Sequence, residues 1–331
     1  MADSNPRLRY ADVAVTYTAD QFQGIYRGKQ YHAPDFDQVL KRAQAHNCEK
    51  IMLTTMNLAG AHANLEVVQA HPAMCTMTLG VHPYHADELF TTATTEQPLT
   101  PNQDYLTTLT TLAQTLLAQT PSPLVAFGEI GLDYSYLDRA NKATQQAAFS
   151  LQLELAATQF PQLPFFLHVR ESCDDVIRLI EPYLPRLPKG GLVHSFTGTR
   201  DEMQRLVDLG LGISVNGVSF RTDEGLEMVR AIPLDRLQLE TDAPWCEVLE
   251  GDERVKKYLV GATELPASRK HGRFVAGLMV KGRNESCAIE RVARVVAGVK
   301  GLGLEVVARA AWRNSVAMFG LGVEEGGVEG E

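Results

Sequence analysis

Residues 123–129, Pro-Leu-Val-Ala-Phe-Gly-Glu, set an apolar, β-rich run directly against a carboxylate. Runs of the same character recur at 12–17, 50–55, 75–81, 164–168, 190–195, 211–215 and 236–240. Between them lie amphipathic segments, such as 143–160, where Ala147, Leu151, Leu155 and Ala156 recur at helical spacing. The stretch 222–231 is a short helix opened by Thr222 or Asp223 as N-cap. Strands that are apolar on both faces belong to a parallel sheet covered by helices. Eight such strand–helix units close most naturally into a (β/α)8 TIM barrel. A doubly wound open sheet is the alternative. No Gly-x-Gly-x-x-Gly follows an early strand, however, so no nucleotide cofactor is expected.

The chain has 331 residues, 45% of them apolar and 21% charged, enough to bury a large core and unlike collagen, a coiled coil or a disordered polymer. The expected layout is a single domain over 8–320 with insertions near 91–120 and 249–282, then a disordered acidic tail at 321–331. The first insertion is threonine-rich, yet Leu106, Leu109, Leu112, Leu116 and Leu117 mark an apolar helical face. No run of eighteen apolar residues exists, so no membrane association is expected, and the start lacks the pattern of a signal peptide. Five scattered cysteines, with no Cys-x-x-Cys, read as reduced thiols of an intracellular protein, in nucleus and/or cytoplasm.

Charge narrows the partners. With 31 basic and 40 acidic residues the net charge is −9, which disfavours bulk attraction to duplex DNA. Residues 254–283 nevertheless hold eight bases and one acid, Glu264. That loop is either a solvated surface or a local clamp for a polyanion.

The rare polar residues fall at strand ends. Glu129 follows the fourth strand, His168 ends the fifth, His194 ends the sixth, and Glu240 and Asp242 close the eighth. Catalytic groups of a barrel project from the C-terminal ends of several strands. A mixed set of imidazoles and carboxylates there suits a hard or borderline divalent metal. His82, before Pro83, is a further candidate. Arg170 shares a face with His168 if extended geometry persists, where it would either hold a phosphate or pair with a neighbouring acid. Asp133 would cap or orient rather than ligate.

These motifs resemble a known family. Gly80-Val81-His82-Pro83, Gly128-Glu129-Ile130-Gly131-Leu132-Asp133, His168-Val169-Arg170, His194-Ser195-Phe196-Thr197-Gly198-Thr199, Glu240-Thr241-Asp242-Ala243-Pro244 and Arg283-Asn284-Glu285 look like the successive signatures of the TatD metal-dependent deoxyribonucleases. The likeness runs from about residue 10 to 320, and Phe22–Gly28 with the basic insertion is similar to the eukaryotic branch. It implies a TIM barrel of the metallo-dependent hydrolase type that hydrolyses DNA phosphodiester bonds, often as a 3′→5′ exonuclease on single strands or ends, in DNA repair or degradation. It also implies up to two divalent ions, Mg2+ first, with Mn2+ or Zn2+ as alternatives. By motif, Glu129 would bridge the ions, His168 and His194 would ligate one, and Asp242 the other. Asp242, Glu240 and His82 would serve the water or phosphate. Arg170, Lys256, Lys257, Arg269, Lys270, Arg273 and Arg283 would bind substrate. One departure stands out: many members carry His-x-His on the first strand, where this chain has Ala14 and Thr16.

Two rivals share these residues. A metal-dependent ester or amide hydrolase, such as an aminoacyl-tRNA deacylase, would use the same site to polarise a carbonyl. A non-catalytic binding barrel would follow from the loss of a metal.

Overall fold

All eight apolar runs are strands in the computed structural model, which describes residues 7–91 and 99–321. They are β1 (Tyr10–Val15), β2 (Cys48–Leu53), β3 (Cys75–Leu79), β4 (Leu124–Asp133), β5 (Phe165–Arg170), β6 (Gly191–Val193), β7 (Gly212–Val215) and β8 (Leu237–Leu239). They lie in one sheet in chain order, and β8 leads back to β1 through a parallel bridge between Val15 and Ala243. This is the strand order of a (β/α)8 barrel. Two boundaries differ from the sequence expectation. β4 continues to Asp133 and β5 to Arg170, so Glu129 and His168 lie inside their strands rather than at their ends. The two strands stay paired as far as Asp133 and Arg170, which keeps both extended.

The helices are α1 (Phe36–Ala45), α2 (Leu58–Ala70), α3 (Gln103–Leu117), α4 (Lys142–Gln159), α5 (Cys173–Ile180), α6 (Arg200–Asp208), α7 (Asp223–Ala231), α8 (Ile289–Lys300) and α9 (Leu304–Phe319). The threonine-rich segment holds α3, which buries Leu109, Ala113 and Leu116. Thr222 caps α7 as expected, its Oγ1 accepting from Gly225 N at 3.0 Å. No helix among the described residues is long and apolar enough to cross a membrane. The tail expected to be disordered falls, from Gly322 onward, outside the described residues.

The chain divides into two compact units. The first takes in the residues up to Leu53, with His194–Asp208 and Gly212–Trp312; the second takes in Thr54–Val193, Leu209–Leu211 and the chain from Arg313. In the first, α8 packs on β1 and β8 and buries Val292, Val295 and Val296. Each such side chain contributes about 1.5–3 kcal/mol by leaving water. The first unit also holds the insertion 249–282, where Ser268–Arg269 pairs with Met279–Val280.

In the second unit α4 packs on β4, burying Phe149 and Leu153. Two buried glutamines of α4 reach the backbone at strand ends. Gln152 accepts from Val81 N at 2.8 Å and donates to Val81 O at 2.9 Å. Gln145 makes the same pair of bonds with Asp133 N and O, both at 2.8 Å. Each amide replaces a missing strand neighbour, because buried backbone groups need partners. Both hold backbone beside the polar cluster described next.

Candidate metal centre

The β4–β5 ladder carries a bulge at Glu129. Gly128 pairs with Phe166 and Ile130 with Leu167, leaving Glu129 as the extra residue. A bulge re-aims the side chain it inserts. Beyond it Gly131 stands opposite His168, so Glu129, Gly131 and Asp133 alternate along the face that His168 shares. The two glycines are there for space. A Cβ on Gly128 would lie 2.2 Å from Phe166 O, and one on Gly131 2.0 Å from His168 O. Both also have positive φ, 156° and 143°, a region L side chains rarely adopt.

The His168 ring thereby fits between two carboxylates. Its Nε2 is 2.8 Å from Asp133 Oδ2 and its Nδ1 is 2.8 Å from Glu129 Oε1. A neutral imidazole donates from one nitrogen only. With Nε2–H given to Asp133, the Nδ1 lone pair and Glu129 Oε1 are two acceptors at hydrogen-bond distance, which a second ring proton, the His82 Nε2–H or a metal ion can satisfy. His82 Nε2 approaches the same point, 3.3 Å from Glu129 Oε1 and 3.4 Å from His168 Nδ1. One ligand atom from each of His82, Glu129 and His168 lies within 4.8 Å of the others. These donors fit a divalent metal ion.

The surrounding groups fix these side chains. His82 Nδ1 accepts from Tyr84 N at 3.1 Å, so neutral His82 carries its proton on Nε2, facing Glu129. That tautomer makes His82 a donor before it is a ligand. Asp133 Oδ2 also accepts from Tyr84 OH at 3.0 Å, and Asp133 Oδ1 from Ser135 N at 3.0 Å. Burial pushes the Asp133 carboxyl up, but hydrogen bonds from His168 and Tyr84 and the His168 and Arg170 charges outweigh it, leaving it below the usual range. Arg170 is 3.7 Å from Asp133 Oδ2, a long ion pair that leaves its guanidinium half-exposed.

The first unit carries its own polar group. Glu240 is fully buried, accepting from Ser214 Oγ at 2.5 Å and Asn216 Nδ2 at 2.9 Å, with His194 Nδ1 3.5 Å away. Asn216 also donates to Ser195 Oγ at 2.9 Å, and Ser195 Oγ to Asp242 Oδ2 at 3.4 Å. Cys246 Sγ lies 3.1 Å from the same Asp242 oxygen. Burial and then the Asp242 charge push that thiol up, so it stays a donor and not a nucleophile. Asp12 on β1 is fully buried and accepts from Thr241 N at 2.8 Å and Thr241 Oγ1 at 2.5 Å. Burial pushes its carboxyl up to about 6 against those bonds. Ala14 and Thr16, at the His-x-His positions, are buried beside it.

Sequence reasoning missed Asp12, Asn216, Ser195 and Cys246, along with Tyr84, Gln145 and Gln152. Asp12 had a signal, an acid heading an otherwise apolar run. The glutamines had none, since a helix amide reads equally as a solvated face.

The basic residues divide by environment. Arg283, expected to touch substrate, is enclosed instead: its guanidinium bonds Asp35 Oδ1 at 2.6 Å, Asp35 Oδ2 at 2.8 Å and Glu285 Oε1 at 2.9 Å. Arg42 binds the other side of Glu285 at 2.7 and 3.1 Å. The four form a buried ion network. Lys256 is exposed but paired with Glu253, and Lys257 lies over the Tyr258 ring. Arg269, Lys270 and Arg273 are exposed, with no carboxylate within ion-pair distance among the described residues. A cavity of about 560 Å³ lies beside the insertion, lined in part by Glu247, Glu250, Arg283, Asn284 and Arg291; it holds none of the expected metal ligands, but Arg283 is on its wall.

Known proteins share this chain's pattern. The family model described as TatD related DNase matches residues 15–320. The chain is 42% identical to "Deoxyribonuclease Tat-D" of Schizosaccharomyces pombe, over 94% of this chain and 96% of that one. It is 32% identical to "3'-5' ssDNA/RNA exonuclease TatD" of Pantoea ananatis, over 94% and 99%. Among solved structures, an uncharacterized amidohydrolase from Saccharomyces cerevisiae superposes with a TM-score of 0.86 at 30% identity, covering 95% of this chain and all (100%) of that one.

Proposed function

The chain belongs to the TatD-related deoxyribonuclease family, and from that membership we propose that it is a metal-dependent nuclease hydrolysing phosphodiester bonds of DNA. It acts 3′→5′ on single strands or free ends, in repair or degradation of DNA. The observation that carries this is the convergence of Glu129 Oε1 and His168 Nδ1 at 2.8 Å with His82 Nε2 beside them. The imidazole and carboxylate donors of this cluster suit Mg2+, Mn2+ or Zn2+.

Glu129 and His168 would hold the ion. His194 and Asp242 are assigned as further ligands by their motif positions, for up to two ions. A divalent ion supplies positive charge to the oxygens of the scissile phosphate and makes bound water more acidic. The chain's own groups do the rest. Asp133 accepts the Nε2–H of His168 and fixes which nitrogen faces the ion. His82 donates from Nε2 toward Glu129 or a phosphate oxygen. Arg170 offers its open N–H groups to phosphate. Arg269, Lys270 and Arg273 engage the backbone further along without reading bases. Glu240, given to the water or phosphate by its motif position, accepts from Asn216, which also donates to Ser195 beside Asp242.

The test is incubation with single- and double-stranded DNA labelled at either end, with Mg2+, Mn2+, Zn2+ or chelator. Metal-dependent shortening from the 3′ end supports the reading. Intact DNA with every metal, from protein shown to bind the ion, overturns it.

A further inference from the structure

The segment after β4 carries an aromatic ring that packing does not explain. Tyr136 keeps 45% of its surface exposed, beside the equally exposed Leu137. Its ring meets that of Tyr84 at 5.5 Å between centroids and 67° between planes. Tyr84 in turn lies 4.4 Å from the His82 ring and 6.4 Å from that of His168. An unbroken aromatic wall therefore runs from the candidate metal ligands to solvent, all within the second unit. Arg170 borders it, its guanidinium carbon 5.8 Å from the Tyr136 ring centre. That guanidinium donates no hydrogen bond among the described residues, its nearest carboxylate oxygen being Asp133 Oδ2 at 3.7 Å.

We propose that Tyr136 and Arg170 form a base-stacking subsite for the nucleotide adjoining the scissile phosphate, with Arg170 on a phosphate and the Tyr136 ring against the base. The identity of the occupant rests on the nuclease reading above. The chemistry follows from placement. A phosphate held between the metal ligands and Arg170 carries a sugar and base that must lie against the neighbouring surface. That surface presents an exposed π face with a cation at its edge, the pairing that holds unstacked bases. Stacking accepts every base, so the subsite adds affinity without sequence preference. It also demands a base freed from its duplex partner, which selects single strands and frayed ends.

The test separates this from the nuclease reading by measuring stacking without turnover. A short oligothymidylate with 2-aminopurine at its 3′ end and hydrolysis-resistant phosphorothioate linkages is titrated with protein in Mg2+. Wild type quenches the 2-aminopurine fluorescence on binding. Tyr136→Ala loses the quench and binds about tenfold more weakly, while Tyr136→Trp keeps both. Equal binding and quenching by wild type and Tyr136→Ala overturns the subsite, even if the protein degrades DNA. A second arm compares kcat/KM on strands with a normal or an abasic terminal nucleotide. Tyr136→Ala costs about tenfold on the first and nothing on the second. An equal loss on both marks a general structural effect and also overturns the proposal. Absence of turnover in wild type, with the Tyr136-dependent quench intact, removes the nuclease reading and leaves the subsite standing.

Discussion

His168 stands directly across the β4–β5 ladder from Gly131, and the absent side chain there gives its ring the space between Glu129 and Asp133. The geometry of the candidate metal centre thus depends on a residue that contributes no chemistry.

Gly131→Ala should destabilise the fold and disable the centre together. The added Cβ meets the backbone oxygen of His168 at 2.0 Å, and φ is 143°. A backbone clash cannot be relieved by a rotamer change, so a loss of at least about 2 kcal/mol is expected. Urea unfolding measures it, and a variant as stable as the parent would contradict the role given to the ladder.

Asp133→Ala should leave the chain folded but weaken metal binding about 10–100-fold, because Asp133 sets the orientation of His168 from behind. Calorimetric titration with Mn2+ is the readout. Unchanged affinity would remove Asp133 from the centre.

Asp12 imposes a pH dependence on stability. Its folded carboxyl titrates near 6, above the ordinary value of about 3.9, so the folded state binds its proton more tightly than the unfolded state. The stabilisation is complete below about pH 4 and is lost as pH rises through about 6, by roughly 3 kcal/mol at most. In Asp12→Asn this component disappears. Unfolding free energies of the two proteins, compared at pH 4.5 and 7, should converge at the higher pH or cross, and parallel profiles would contradict it.

Neutralising Arg269, Lys270 and Arg273 together should flatten the salt dependence of single-strand binding by about 0.7 in slope for each phosphate that these side chains no longer neutralise. Neutralising Lys256 and Lys257 should do less, since Glu253 already pairs with the first and the Tyr258 ring covers the second. An unaltered slope in the triple variant would mark the insertion as a solvated loop.

The eight strands were legible because each is an apolar run bounded by helical periodicity, and residues such as Val13, Ile51 and Phe166 have no other place to go than the core. His194, Glu240 and Asp242 were legible as polar residues just past such runs. Glu129 was found for an incomplete reason: it interrupts its strand at a bulge, and a bulge is a property of pairing between two strands, invisible in either alone. Arg283 shows the limit of counting charge. It stands in a basic loop, yet its partner Asp35 lies 248 residues away in the chain and turns it into a buried structural ion. The burial of Gln145 and Gln152 on α4 was likewise set by backbone groups of Asp133 at the end of β4 and Val81 just past β3.

The most direct measurement follows metal content and DNA cleavage together in wild type, Glu129→Ala and Asp242→Asn, on a 5′-labelled single-stranded oligonucleotide in Mg2+ or Mn2+. Both variants are expected to remain folded, with an unchanged melting transition, while metal occupancy falls and most cleavage disappears. Wild-type cleavage by folded Glu129→Ala would contradict the assignment of the centre outright.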